Sequence, residues 1–148
     1  MKINIILKNA ALGSIILLTA GCNSPGEKWD PILEDTTFYK VFGGSKEDYG
    51  FSVNLTDDGG YILAGFSETY GNGWWDAWIV KTDAKGKGEW HRSFGTNGKE
   101  VALQVMQMDD GGYVILGEHG LAGKAGDIIF IQTNSEGYHQ NQVTYGGS

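Results

Sequence analysis

Beyond residue 36 the chain alternates short apolar runs with clusters of glycine and aspartate. Residues 49–56 set Phe51, Val53 and Leu55 at a period of two, and residues 101–108 set Val101, Leu103 and Val105 in the same way. That period predicts strands with one buried face. Residues 61–66 and 113–117 are nearly continuous apolar runs, which predict inner strands covered on both faces. Residues 76–82 and 127–133, followed by 89–94 and 140–145, complete two sets of four extended segments. No segment in this part of the chain has helical apolar spacing long enough to compete.

The two sets are copies. TDDGGYILAG at residues 56–65 returns as MDDGGYVILG at residues 108–117. Phe42-Gly43 returns as Phe94-Gly95 and again as Tyr145-Gly146, and residues 76–86 are answered by residues 127–137. A four-stranded unit of about 51 residues has the size and pattern of a propeller blade. Residues 37–44 align with the last strand of a unit, so that Phe38 stands where Trp90 does. The predicted fold is therefore all-β: two four-stranded antiparallel propeller-type blades, at about 43–94 and 95–145, plus an N-terminal strand from a preceding blade. Two blades cannot close a ring, since propellers use four to eight. The expectation is an incomplete β-propeller cut from a longer chain, or, if the chain is complete, self-association through open sheet edges.

The N-terminus is organised differently. Lys2 and Lys8 precede an apolar run that ends in small residues and Cys22, the chain's single cysteine. This order predicts a signal peptide rather than a membrane-spanning helix, because the run from Ala10 to Ala20 is short for a bilayer. Its end, LLTAGC, resembles the lipobox of bacterial lipoproteins, which implies lipidation of Cys22 and a mature chain that starts there. The predicted organisation is a leader at 1–21, a tether at 22–35 carrying both prolines, and a β-repeat domain at 36–148. Removing Lys2 and Lys8 takes the formal net charge from −7 to −9. With no basic stripe to meet phosphates, nucleic acid is excluded as a partner.

An aromatic-glycine pair, then DGGYxxxG, then D-x-W-x-x-K-x-D-x-x-G-x-x-x-W resembles the repeats of bacterial secreted or surface-anchored propellers. The likeness spans residues 37–147. KTDAKGKGEW at residues 81–90 more loosely resembles the outer-strand motif of quinoprotein-like propellers, in which the tryptophan packs between blades. The second unit departs from it: Trp78, Lys81, Asp83 and Trp90 become Ile129, Gln132, Asn134 and Asn141. The resemblance implies a scaffold of mostly unassigned function, and no quinone-binding residue can be placed.

Candidate chemistry is sparse. Asp57, Asp58, Gly59 and Gly60, with Asp109, Asp110, Gly111 and Gly112, offer carboxylates beside glycines. Calcium needs six to eight oxygens and each cluster supplies two side chains, whereas Asp before Gly is what a tight hairpin requires. They are read as structural turns. The loop ETYGNGWW carries Tyr70, Trp74 and Trp75, rings that suit a sugar or an apolar peptide side chain. His91, His119 and His139 form no metal-binding motif, and no nucleophile elbow or phosphate loop occurs. No catalytic residue, metal or cofactor is assigned. The sequence reads as an exported scaffold, lipid-anchored to the bacterial cell membrane or outer membrane, for protein binding or structure. Its rivals are a carbohydrate-binding surface module and a fragment of a larger propeller enzyme.

Overall fold

The computed structural model describes residues 3–8, 16–18, 37–72, 74–120 and 126–146. Strands β1 (Ile3–Lys8), β2 (Ile16–Leu18) and β3 (Thr37–Phe42) form a three-stranded sheet in the order β2-β1-β3. Strands β4 (Asp48–Leu55), β5 (Tyr61–Ser67), β6 (Asp76–Thr82) and β7 (Gly88–Phe94) form an antiparallel meander, called the first repeat sheet. Strands β8 (Lys99–Gln107), β9 (Tyr113–Gly120), β10 (Asp127–Thr133) and β11 (His139–Tyr145) repeat it as the second.

Local chemistry fixes both meanders in the same way. In the β4–β5 turn Gly59 N donates to Thr56 O at 2.8 Å and Thr56 N to Gly60 O at 3.0 Å, with Gly59 at φ +80°. In the β8–β9 turn Gly111 N donates to Met108 O at 2.9 Å and Met108 N to Gly112 O at 2.8 Å, with Gly111 at φ +82°. A side chain at either glycine would be forced into the left-handed region, which explains their recurrence. Asp83 and Asn134 shape the next turn of each sheet by accepting two backbone N–H bonds on Oδ1, so the exchange of Asp for Asn preserves the cap.

The ladder of the first strands breaks at one place in both repeats, and Leu55, expected on the buried face, is 53% exposed. The ladder shifts between Gly50 and Ser52 and again between Ala102 and Gln104, leaving Phe51 and Leu103 at bulges and exposed. Each bulge carries a carbonyl over the neighbouring strand. A Cβ on Gly65 would lie 1.7 Å from Tyr49 O, and one on Gly117 would lie 2.2 Å from Val101 O.

The core lies between the two repeat sheets. Ile62, Ala64, Ala77 and Ile79 of the first pack against Val105, Ile115, Ile129 and Ile131 of the second, with Trp90 and Phe94 at the margin. The small Ala64 and Ala77 let the sheets approach closely. The other face of the first sheet buries Val53, Tyr61, Leu63, Trp78 and Val80, with Phe38 and Phe42 of β3 packed on it. Phe38 meets Tyr61 edge-on at 5.7 Å and 69°, and Trp90 meets Tyr113 at 5.7 Å and 69°. The expected equivalence of Phe38 and Trp90 is thus a geometric one.

Three expectations are corrected. Neither repeat sheet is closed or curled and the sheets form no ring, so these are stacked open meanders rather than propeller blades. β3 belongs to no four-stranded unit: it pairs along all six residues with β1, inside the segment expected to be the leader. Of the inner strands, β5 is buried throughout, but β9 buries mainly one face because no sheet among the described residues covers its other side. Cys22 and the expected tether lie outside the described residues up to Asp35.

Gly65→Ala is expected to lose about 2–4 kcal/mol of stability in urea unfolding, since the blocking atom is backbone and cannot step aside. A loss under about 0.5 kcal/mol would contradict the close approach.

Candidate functional site

The sequence candidates occupy both ends and both faces of the repeat sheets. At the turn end, Asp58 accepts from Thr56 Oγ1 at 2.5 Å, Gly60 N at 2.9 Å and Lys81 Nζ at 2.7 Å. Lys81 Nζ also donates to Glu89 at 3.0 Å and to Thr82 O at 2.9 Å, and its side chain is 5% exposed. The hydrogen bond from Lys81, aided by that from Thr56, lowers the Asp58 pKa from 3.8 to about 2. Burial pulls the Lys81 pKa down, but its bonds to Asp58 and Glu89 outweigh that and raise it. Asp110 has the matching bond from Gly112 N, at 2.9 Å, while Gln132 stands in the place of Lys81 and is exposed. Asp57 is exposed and its N–H reaches across to Gln107 Oε1 of the second sheet at 2.8 Å; Asp109 is exposed in the matching turn. Among the described residues no group of three His, Cys, Asp or Glu is placed to hold a metal ion.

At the opposite end stand two buried carboxylates that the sequence reading passed over. Asp48 accepts from Gly44 N at 2.8 Å, from Thr69 Oγ1 at 3.1 Å and, by a short bond, from Ser67 Oγ. Glu100, its repeat counterpart, engages Thr96 Oγ1 at 2.7 Å and His119 Nδ1 at 2.7 Å. The signal was present as an acid recurring at the start of each first strand. Asp76 is buried likewise and accepts from Asn72 N at 3.2 Å. A Cβ on Gly95 would lie 2.0 Å from its Oδ1, and one on Gly146 would lie 1.6 Å from that of Asp127. This is why glycine follows the aromatic at Gly95 and Gly146, while at Gly43, with φ +136°, a Cβ would lie 2.8 Å from Asp48 Oδ2.

The aromatic loop is divided between faces. Trp75 stacks on Phe66 at 4.5 Å and 18°, lies under Lys99 Nζ at 3.9 Å, and donates from Nε1 to Glu68 at 2.8 Å. Tyr70 is on the other face, stacked on Trp78 at 5.6 Å and 4.6 Å from the His91 ring. Trp74 is 73% exposed with Lys99 Nζ 5.8 Å from its centroid. The three rings therefore form no common platform. Tyr70 instead borders an open cleft of about 280 Å³ with Trp78, Glu89, Trp90 and His91, beside the end of β3. His91 Nδ1 and Trp78 Nε1 are joined there at 3.3 Å.

The largest anomaly is the outer face of the second sheet. Ala77 and Ile79 of the first sheet are fully buried, yet their counterparts Ile128 and Phe130 are 49% and 41% exposed. The ladder sets Ile128 beside Tyr145 and Phe130 beside Val143 and Leu116, and Met106 continues the apolar surface onto β8. Phe130 and Tyr145 meet edge-on at 6.1 Å and 90°. The polar residues among them, Gln104, Gln132 and Asn141, are uncharged, with Glu118 at one end. Sequence reading missed this face because it took residues 113–117 as covered on both sides and assigned no face to residues 127–133 and 140–145. No protein-family model matches the chain, and no curated protein matches it at a significant level.

Replacing Asp58 with Asn should destabilise the chain by no more than about 1 kcal/mol, because its side chain is 57% exposed and solvent screens the pair. A carboxylate with a lowered pKa contributes stability above its unfolded pKa, which is lost as pH falls through the folded one. The difference between wild type and Asp58→Asn should therefore be constant above pH of about 5 and vanish between about 4 and 2. Unfolding midpoints across that range test it; a difference that grows on acidification would contradict the Lys81 pairing.

Proposed function

We propose that this chain is a non-catalytic β-repeat module that binds protein through the outer face of its second repeat sheet and is held at a membrane by a lipid on Cys22. The all-β architecture of two repeat sheets is its established part. The observation that carries the binding role is the exposed apolar face of β8–β11, centred on Phe130. A continuous uncharged apolar surface of this kind marks an interaction site. In this reading Asp48 and Glu100 are structural acceptors, each engaged by hydroxyl, backbone or imidazole partners of its own repeat sheet and the loops that flank it. The lipid anchor is supported by the order of charge, apolar run, small residues and cysteine in residues 2–22.

Two measurements test this. A photoreactive residue in place of Ile128 is expected to cross-link to protein in intact cells, while the same group at the exposed turn residue Ser135 is not; equal or absent adducts would remove the binding role. Mass spectrometry of the membrane-extracted chain is expected to find acyl mass on Cys22. A soluble mature form that starts elsewhere would remove the anchor.

A further inference from the structure

We infer that the partner of this face is a second copy of the same chain, seated face to face about a twofold axis near Phe130 and Leu116; this rests on the binding role proposed above. The intrachain interface shows what such a face accepts, because its counterpart on the first sheet is covered by a four-stranded sheet. It also shows what stacking one repeat on the next requires. Trp90 reaches across to Tyr113 and lies over Gly137, where a Cβ would come within 2.6 Å of the indole. Phe38 does the same over Tyr61 and Gly86, where a Cβ would come within 2.2 Å of its ring. On β11 this place is taken by Asn141, so the outer face lacks the ring that fits the glycine hollow of a following repeat. Where the first sheet has the small Ala64 and Ala77, the outer face has Leu116 and Ile128. Those projecting side chains suit interdigitation with an equally apolar surface rather than the close approach that alanines permit.

Charge and area agree with self-pairing. The chain carries a formal net charge of −7, so two copies repel wherever acidic surfaces meet, yet the centre of this face has no charged residue. A twofold axis brings like residues together, and here the like residues are apolar. Four strands about 4.8 Å apart and about seven residues long outline roughly 440 Å² per copy before side-chain relief is added. Two such faces total about 880 Å², below the roughly 1,200 Å² of stable specific pairs and in the range of a weak, reversible one.

Sedimentation velocity of the full chain over a hundredfold concentration range tests the proposal. A reversible monomer–dimer equilibrium is expected, and Phe130→Asp should weaken it by at least about 30-fold, as truncation of a central anchor does. Circular dichroism should show that the variant keeps its fold; if it does not, Val143→Lys, at a residue 41% exposed, replaces it. A monomer at every concentration, a dimer indifferent to both variants, or an open series of larger species would each overturn the twofold pair. A monomer that still cross-links from position 128 to a different protein sinks the second copy and leaves the binding role standing. A monomer with no cross-link sinks both.

Discussion

The structure depends on one packing contact, the face-to-face burial of the first repeat sheet against the second. A four-stranded meander has two faces and cannot bury either alone, so each sheet's order is conditional on a neighbour. Here the first sheet is covered twice, by the second sheet on one side and by β3 on the other, and its inner strands β5 and β6 are buried along their whole length. Among the described residues the second sheet is covered on one face alone. Its strands accordingly alternate between buried and exposed, as β10 does from Asp127 to Thr133. The difference in burial between two sheets of the same strand order thus follows position in the stack.

The repeat itself was legible because its most constrained positions are also its most conspicuous ones. Gly59 and Gly111 recur because the turn requires a left-handed residue, and Gly95 and Gly146 because a carboxylate occupies the space of a Cβ. The match of Phe38 to Trp90 was readable for a similar reason, since each ring fills the hollow above a turn glycine. The bulges at Phe51 and Leu103 were not readable. One extra residue leaves the apolar period looking intact in the sequence while it moves the side chains before and after it relative to the core. Sheet closure was illegible as well, for strand patterns specify which faces are apolar and not how many sheets meet. The incomplete propeller inferred from blade-like spacing accordingly gives way to an open stack.

The candidate chemistry divides along the same line. Of the acidic residues next to glycine, Asp58 and Asp110 each accept the N–H of the second glycine of their turn, and Asp58 also pairs with Lys81. The buried carboxylates Asp48 and Glu100 drew no notice, because the groups that engage them come from other strands and loops. The rings of ETYGNGWW are close in sequence but separated by the sheet, with Trp75 and Tyr70 on opposite sides of it. Proximity along a chain predicts a shared surface poorly when neighbouring strand residues alternate faces.

β11 has every residue exposed, more so than β7, whose Trp90, Arg92 and Phe94 are half-buried. A strand held at a sheet edge by one ladder, with little side-chain burial, lies at the low end of local stability and frays before the strands beneath it. Because Val143 and Tyr145 are on that strand, fraying would dismantle the outer face as well as loosen the fold. Recognition and local order are therefore thermodynamically linked: whatever occupies this face must staple β11 in place, and the energy of doing so is subtracted from its apparent affinity.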